Sequence, residues 1–313
     1  MYGLVILRRA AIVLITMLVA SIVIYGALYL APGGPIAFLS SGRPLSPSAL
    51  AALRHHYHLD DPFLQRYALW LWGVLHGDLG TSLVFRQGVV GLLGPRLVTT
   101  AYLLVYSGIL ILIVGNALGI LAALREGVVS TAITTTTAIG IAVPAFITAV
   151  VLISVFAVNL GWFPVTGSGS GFFDRLHHLT LPAIALALPA IAYVARLTRA
   201  AVAEELGREH VQAAIGRGIP RRKVIYRHVV RNAMIPIVTV SGITLASLVA
   251  GTAVVETAFQ VDGLGSFLIS SVTNRDFPVV QAIALILVTG FILVNVIVDI
   301  LYGVLDPRVR EAV

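Results

Sequence analysis

Leu97–Leu124, LVTTAYLLVYSGILILIVGNALGILAAL, contains no Asp, Glu, Lys or Arg. A helix needs about 20 apolar residues to cross the hydrocarbon core of a bilayer, so this run spans it with residues to spare. It stops at Arg125-Glu126-Gly127, and a second uncharged run, Val128–Leu160, begins at once. Four more such runs follow the same rule: Ala10–Ala31, Leu179–Ala195, Ala233–Val255 and Pro278–Val298. The reading is an all-α membrane protein with six transmembrane helices. Val128–Leu160 is too long for one straight span, and Pro144 predicts a bend because proline removes a helical hydrogen bond. Leu179–Ala195 is the shortest run and carries Pro182 and Pro189.

Composition agrees. Of 313 residues, 58% are hydrophobic and 11% charged, with a mean hydropathy of +0.97; soluble domains carry about 25% charged residues. The net charge of +7 is read as the basic face of a membrane protein, with no nucleic acid implied. The absence of cysteine excludes disulfides, thiolate metal sites and cysteine nucleophiles.

Basic residues set the orientation. Arg8 and Arg9 precede the first run, Arg125 lies in the tight second turn, Arg308 and Arg310 close the chain, and Arg196–Arg231 holds nine Arg or Lys. All fall on one side, which predicts both termini in the cytoplasm. The first run exceeds the apolar length of about 7 to 15 residues in a signal peptide, so it is expected to stay as a helix. The chain then divides into the N-terminus and first helix (1–31), an extracytoplasmic segment on the membrane surface (32–96), and a transmembrane domain (97–313) with a cytoplasmic loop at 196–232.

In the outer segment, Ser46-Pro47 reads as a helix start followed by Leu50, Leu53 and Tyr57 at helical spacing. A second helix is expected from Asp61-Pro62, carrying Tyr67, Trp70 and Trp72, and ending at Gly77-Asp78-Leu79-Gly80. His55, His56 and His58 cluster here, but no carboxylate or further His falls at matching spacing, so no metal site is assigned. Gly167-Ser168-Gly169-Ser170-Gly171 lacks the lysine of a phosphate loop and reads as a connector.

The loop at 196–232 carries the function. Gly is favoured just past a helix end and Pro in the first turn of a helix, so Gly218 and Pro220 predict two short helices around a turn. A protruding turn with small residues at its tip suits docking into a groove on another protein, because Ala213, Ala214 and Gly218 admit close backbone approach. Gln212-Ala213-Ala214, three residues, then Gly218 resembles the EAA loop of ABC-importer permeases. Two features depart from the general pattern: Gln212 replaces Glu, and the closing Pro236 comes late.

Arg227-His228, Arg231-Asn232 and Ile235-Pro236 resemble the peptide-permease branch, the dipeptide and oligopeptide ABC importers. So do Arg8-Arg9, Leu30-Ala31-Pro32-Gly33, Leu59-Asp60-Asp61-Pro62, Gly77-Asp78-Leu79-Gly80, Gly263-Leu264-Gly265, Arg275-Asp276-Phe277-Pro278 and Leu305-Asp306-Pro307-Arg308. Gly34 stands where that branch usually has Asp, so no role for a carboxylate carries over. The resemblance implies a type I ABC-importer permease fold in a bacterial inner membrane. It also implies a homologous second permease as heterodimer partner, two ATP-binding subunits or domains, and an extracytoplasmic peptide-binding protein. Gln212, Ala213, Ala214, Arg217, Gly218 and Ile219 would couple to the ATPases. ATP and Mg would bind those partners, with no cofactor on this chain. Relatives of the same architecture carry nickel complexes or glutathione.

Other classes fit less well. The only lysine, Lys223, lies between Arg222 and Val224, so there is no Walker A loop. The six runs hold no carboxylate, which argues against ion coupling; Glu256 and Asp299 lie just past the ends of two runs, where a water-exposed or hydrogen-bonded structural role is expected. No His lies at mid-membrane depth to activate a nucleophile, which argues against an intramembrane hydrolase. A translocation path is expected along small hydroxyl residues: Thr134 and Thr137 on the third helix, and Ser241, Thr244, Ser247 and Thr252 on the fifth.

Overall fold

The computed structural model describes residues 2–30, 46–48, 51 and 60–305. These fall into two units, Met1–Val98 with Gly263–Gly290, and Thr99–Asp262 with Phe291–Val313.

In the first unit, α1 (Tyr2–Leu30) and α2 (Phe63–Leu75) pack through aromatic rings. Tyr25 of α1 lies 5.6 Å from Phe63, 5.7 Å from Tyr67 and 5.2 Å from Trp70 between centroids. The Tyr67 hydroxyl is buried and meets Ser21 at 2.7 Å. Only Trp72 of the three expected interfacial aromatics stays exposed, because the other two face α1. The expected turn follows: the Gly80 N–H donates to Asp78 Oδ1 at 2.8 Å, and a single bridge pairs Thr81 with Gly88. Val89, Leu93, Val279 and Ile283, with Leu264 and Phe267 of α9 (Leu264–Thr273), form this unit's core. Of the helix expected from Ser46-Pro47 only fragments are described, and His55, His56, His58, Arg308 and Arg310 lie outside the described residues, as does the Asp299 side chain.

α3 (Val89–Leu124) starts ahead of the uncharged run that signals it and takes in Pro95 and Arg96. Arg96 is tolerated there because its guanidinium stacks 4.0 Å over Phe267 and donates to the Leu92 carbonyl at 2.6 Å.

The second unit is built round α6 (Gly171–Leu206), which packs against α3, α8 (Arg221–Ala258), and the bent pair α4 (Val128–Ala142) and α5 (Ala145–Asn159). The bend of 104° falls at Val143-Pro144, as the sequence predicts. A residue before proline is pushed to extended backbone, and Val143 has φ −86° and ψ 118°. Leu179–Ala195, expected as a short helix, is the middle of 36 continuous residues, roughly 54 Å at 1.5 Å per residue. The charged flanks that mark the ends of the run extend the helix beyond the hydrocarbon. Leu179, Ala183, Ala187 and Val194 are buried against α3 and α5 residues such as Leu103, Ile111 and Ala149. Gly119 is where α3 comes closest: a Cβ there would lie 2.5 Å from Thr198 Cβ and 2.6 Å from the Ala195 carbonyl.

Among the described residues, five helices are long and apolar enough to cross a membrane: α1, α3, α6, α8 and α10 (Phe277–Leu305); the α4–α5 pair makes a sixth if counted as one span. Many apolar side chains, such as Leu14, Val23, Val105, Ile113, Val150 and Ile300, point outward, as lipid-facing surfaces require. Glu256 is fully buried and accepts a hydrogen bond from Thr100 at 2.7 Å, which is the hydrogen-bonded of its two expected roles.

Candidate functional site

The loop at 196–232 folds as two short helical pieces around a turn. α7 (Glu209–Gly216) follows α6 almost directly, and α8 starts at Arg221 with Pro220 as its cap residue. The end of α7 is closed by two crossed hydrogen bonds, Gly218 N–H to the Ile215 carbonyl at 2.9 Å and Ile219 N–H to the Ala214 carbonyl at 3.3 Å. This is the Schellman arrangement, which needs left-handed backbone just past the helix. Gly218 has φ +73°, and a Cβ there would meet nothing within 4 Å. Glycine is therefore explained by the turn itself, and space remains open above it.

The tip has two faces. Gln212, Ala213, Ile215, Gly216, Arg217 and Gly218 are exposed. Ala214 is buried and Ile219 half-buried, both packed with Val202, Val211, Val224 and Val229. Of the six residues read from the sequence as one docking set, these two thus hold the element together from inside. Ile215, 52% exposed, was not in that set, although Val211 and Ala214 at helical spacing already mark the inner face and leave Ile215 outside it. Gln212 returns its amide to the Leu206 carbonyl at 3.0 Å, bracing α7 against the end of α6.

A polar clamp fastens the base of the element. Glu205 on α6 meets His210 Nε2 on α7 at 3.0 Å, and Asn232 on α8 donates to Glu205 at 3.0 Å and lies 3.2 Å from His210. Arg208 pairs with Glu204 at 2.7 Å. Three helices converge on one carboxylate, so the turn is tied to both long helices that flank it. A turn of wider π geometry at Ile225–Val230 carries Arg227 and His228 between tip and clamp.

The six hydroxyl residues read as a path do not form one exposed stripe on this chain. Thr137, Ser241, Thr244 and Thr252 are buried, Thr134 is half-buried and Ser247 is exposed. Most return their hydroxyl to their own helix, as with Thr134 to the Ser130 carbonyl at 2.7 Å and Thr244 to the Val240 carbonyl at 2.7 Å. Ser241 Oγ has no hydrogen-bond partner among the described residues. The described residues hold no group of three His, Cys, Asp or Glu able to bind a metal ion.

Helices of membrane length, two of them tied to one helical turn by shared polar contacts, define a multi-spanning membrane protein. Residues 115–311 match the family described as the inner membrane component of binding-protein-dependent transport systems, and residues 1–100 match its N-terminal family. The chain belongs to this family. Similar proteins include the "Probable peptide ABC transporter permease protein y4tP" of Sinorhizobium fredii, 36% identical over 98% of this chain and 99% of that one. The dipeptide transport system permease protein DppB of Escherichia coli K12 is 35% identical over 98% of both. The fold matches the inward-facing MetNI methionine ABC transporter with a TM-score of 0.57 at 20% identity, over 69% of this chain and 97% of that one. It is the type I importer permease fold, and the ATPase activity of such systems lies on separate subunits.

Proposed function

We propose that this chain is one permease subunit of an ATP-driven importer that moves di- and oligopeptides across the inner membrane of a bacterium into the cytoplasm. The observation that carries the reading is the tip of α7, capped at Gly218 and fastened at Glu205, His210 and Asn232. The peptide-transport names of relatives similar over nearly the full chain support peptides as the substrate class. Both termini and the basic α7 loop face the cytoplasm, and residues 32–96 lie outside. A homologous permease completes a heterodimer, two ATP-binding subunits bind ATP with Mg, and an external binding protein delivers the peptide.

Gln212, Ala213, Arg217 and Gly218 contact the ATPase, and Ala214 and Ile219 hold them in place. A docked tip on a clamped base transmits ATPase closure as rigid-body rotation of α6 and α8, the kind of movement that supports alternating access. Thr134, Thr137, Ser241, Thr244, Ser247 and Thr252 lie along helices that border the path, with Ser247 the one already open in the isolated chain.

The test is uptake of labelled di- to pentapeptides by cells lacking the chain and by cells in which it is restored. Loss and recovery of uptake are expected. Uptake at the normal rate without the chain overturns the peptide assignment, and loss of nickel or glutathione uptake instead would replace the substrate while keeping the architecture.

A further inference from the structure

In the second unit a groove of about 340 Å³ lies between the ends of α3 and α4 and the flank of α6. Arg125, Glu126, Gly127, Ser130, Thr131 and Arg199 supply its polar lining. The guanidinium groups of Arg125 and Arg199 make no hydrogen bond or ion pair among the described residues, whereas Arg208 on the same loop system is paired with Glu204. The first turn of α4 adds to the positive potential. Gly127 offers no side-chain cap, and the first bond of the helix runs from Thr131 N–H to the Gly127 carbonyl, so the N–H groups before it have no helical acceptor. The Ser130 hydroxyl is already committed to the Ala122 carbonyl at 2.8 Å. Glu126 subtracts one charge from two, and the groove remains cationic.

Its position selects the anion. Arg125 closes the short turn between two uncharged runs, which sets it where the bilayer's headgroups begin. A volume of about 340 Å³ falls at the small end of the roughly 300–1,000 Å³ typical of organic ligands and exceeds what a bare phosphate fills. Basic pockets between membrane helices on the cytoplasmic side suit acidic headgroups. We propose that this groove binds the phosphodiester headgroup of an anionic phospholipid of the cytoplasmic leaflet, with Arg125 and Arg199 holding the phosphate oxygens. The leaflet rests on the orientation proposed above; the headgroup chemistry does not.

The experiment is native mass spectrometry of the intact purified transporter with added phosphatidylglycerol, phosphatidylcholine or inorganic phosphate. Wild type should retain phosphatidylglycerol about tenfold or more in preference to phosphatidylcholine. Arg125→Gln with Arg199→Gln should abolish that preference, Arg125→Lys with Arg199→Lys should keep most of it, and Arg221→Gln with Arg222→Gln should leave it intact. Equal retention of the two lipids, or a preference that survives the double glutamine variant, overturns the proposal. Displacement of phosphatidylglycerol by a few millimolar inorganic phosphate would assign the groove to a soluble phosphate and overturn the lipid as occupant. Lipid retention is read without transport, so its outcome stands apart from that of the peptide-uptake test.

Discussion

Glycine at position 218 meets the turn's need for left-handed backbone, and substitutions can test whether a docked partner imposes a second, steric demand. Its φ of +73° costs an ordinary L-residue about 1–2 kcal/mol, a factor of roughly 5 to 30 in the population of the turn. Asparagine tolerates left-handed backbone at a helix end better than alanine does. Nothing in the chain lies within 4 Å of a Cβ at this position, so neither residue clashes internally. If a partner packs closely over the tip, however, an added side chain meets that partner, and overpacking of a fitted surface costs about 1–3 kcal/mol. Gly218→Asn is therefore expected to accumulate normally in the membrane, leave capture of peptide by the external binding protein unchanged, and lower uptake roughly 5- to 150-fold. Gly218→Ala should combine a smaller contact penalty with a weakened turn, visible as faster protease cleavage between α7 and α8. The assay is initial-rate uptake of a labelled dipeptide, normalised to chain abundance. Wild-type uptake by Gly218→Asn would refute the steric argument and leave glycine there for the turn alone.

The two alanines of the tip should respond in opposite ways: Ala213→Leu is expected to preserve thermal stability in detergent and impair uptake, while Ala214→Asp, a charge set into the Val202, Val211 and Val229 cluster, should destabilise the loop by several kcal/mol. Gly119→Ala should lower the melting temperature, because its Cβ meets Thr198 and the Ala195 carbonyl inside 3 Å, at a cost of about 1–3 kcal/mol; circular dichroism melting in one detergent checks it. Asp276, 1% exposed, accepts bonds from the Ser82 hydroxyl and from the Leu83 and Val84 N–H groups. Asp276→Ala leaves the buried Ser82 hydroxyl without this acceptor, at about 1–3 kcal/mol, and should expose residues 82–87 to limited proteolysis.

Much of this architecture is written in where charges are missing. The runs beginning at Ala10, Leu97, Val128, Ala233 and Pro278 each appear as helix, and the Pro144 break follows from one residue's covalent chemistry. The ends were less legible. Arg96 looks like a loop residue until Phe267, distant in sequence, supplies a ring beneath it. The length of α6 is hidden because Asp174, Arg175, Arg196 and Arg199 interrupt the apolar pattern without interrupting the helix. In the candidate site, the turn at Gly218 was readable from local propensity alone. The clamp was not, since Glu205, His210 and Asn232 meet only once three helices converge. Within the Gln212–Ile219 motif, the helical spacing of Val211 and Ala214 marks the inner face, but Ile219 lies past the helix end, where spacing no longer tells which side a residue faces.

In the proposed mechanism, energy reaches this chain from an attached ATPase through the α7 tip. This coupling is tested most directly by purifying the chain from its native membrane in mild detergent and assaying the same sample for co-purifying subunits and ATP hydrolysis, with Gly218→Asn alongside. A second permease and two ATP-binding subunits are expected with wild type, together with ATP hydrolysis that the variant fails to couple to uptake after reconstitution. A chain recovered alone under several mild detergents, without ATPase activity, would contradict the mechanism and reduce the basic loop to a determinant of orientation.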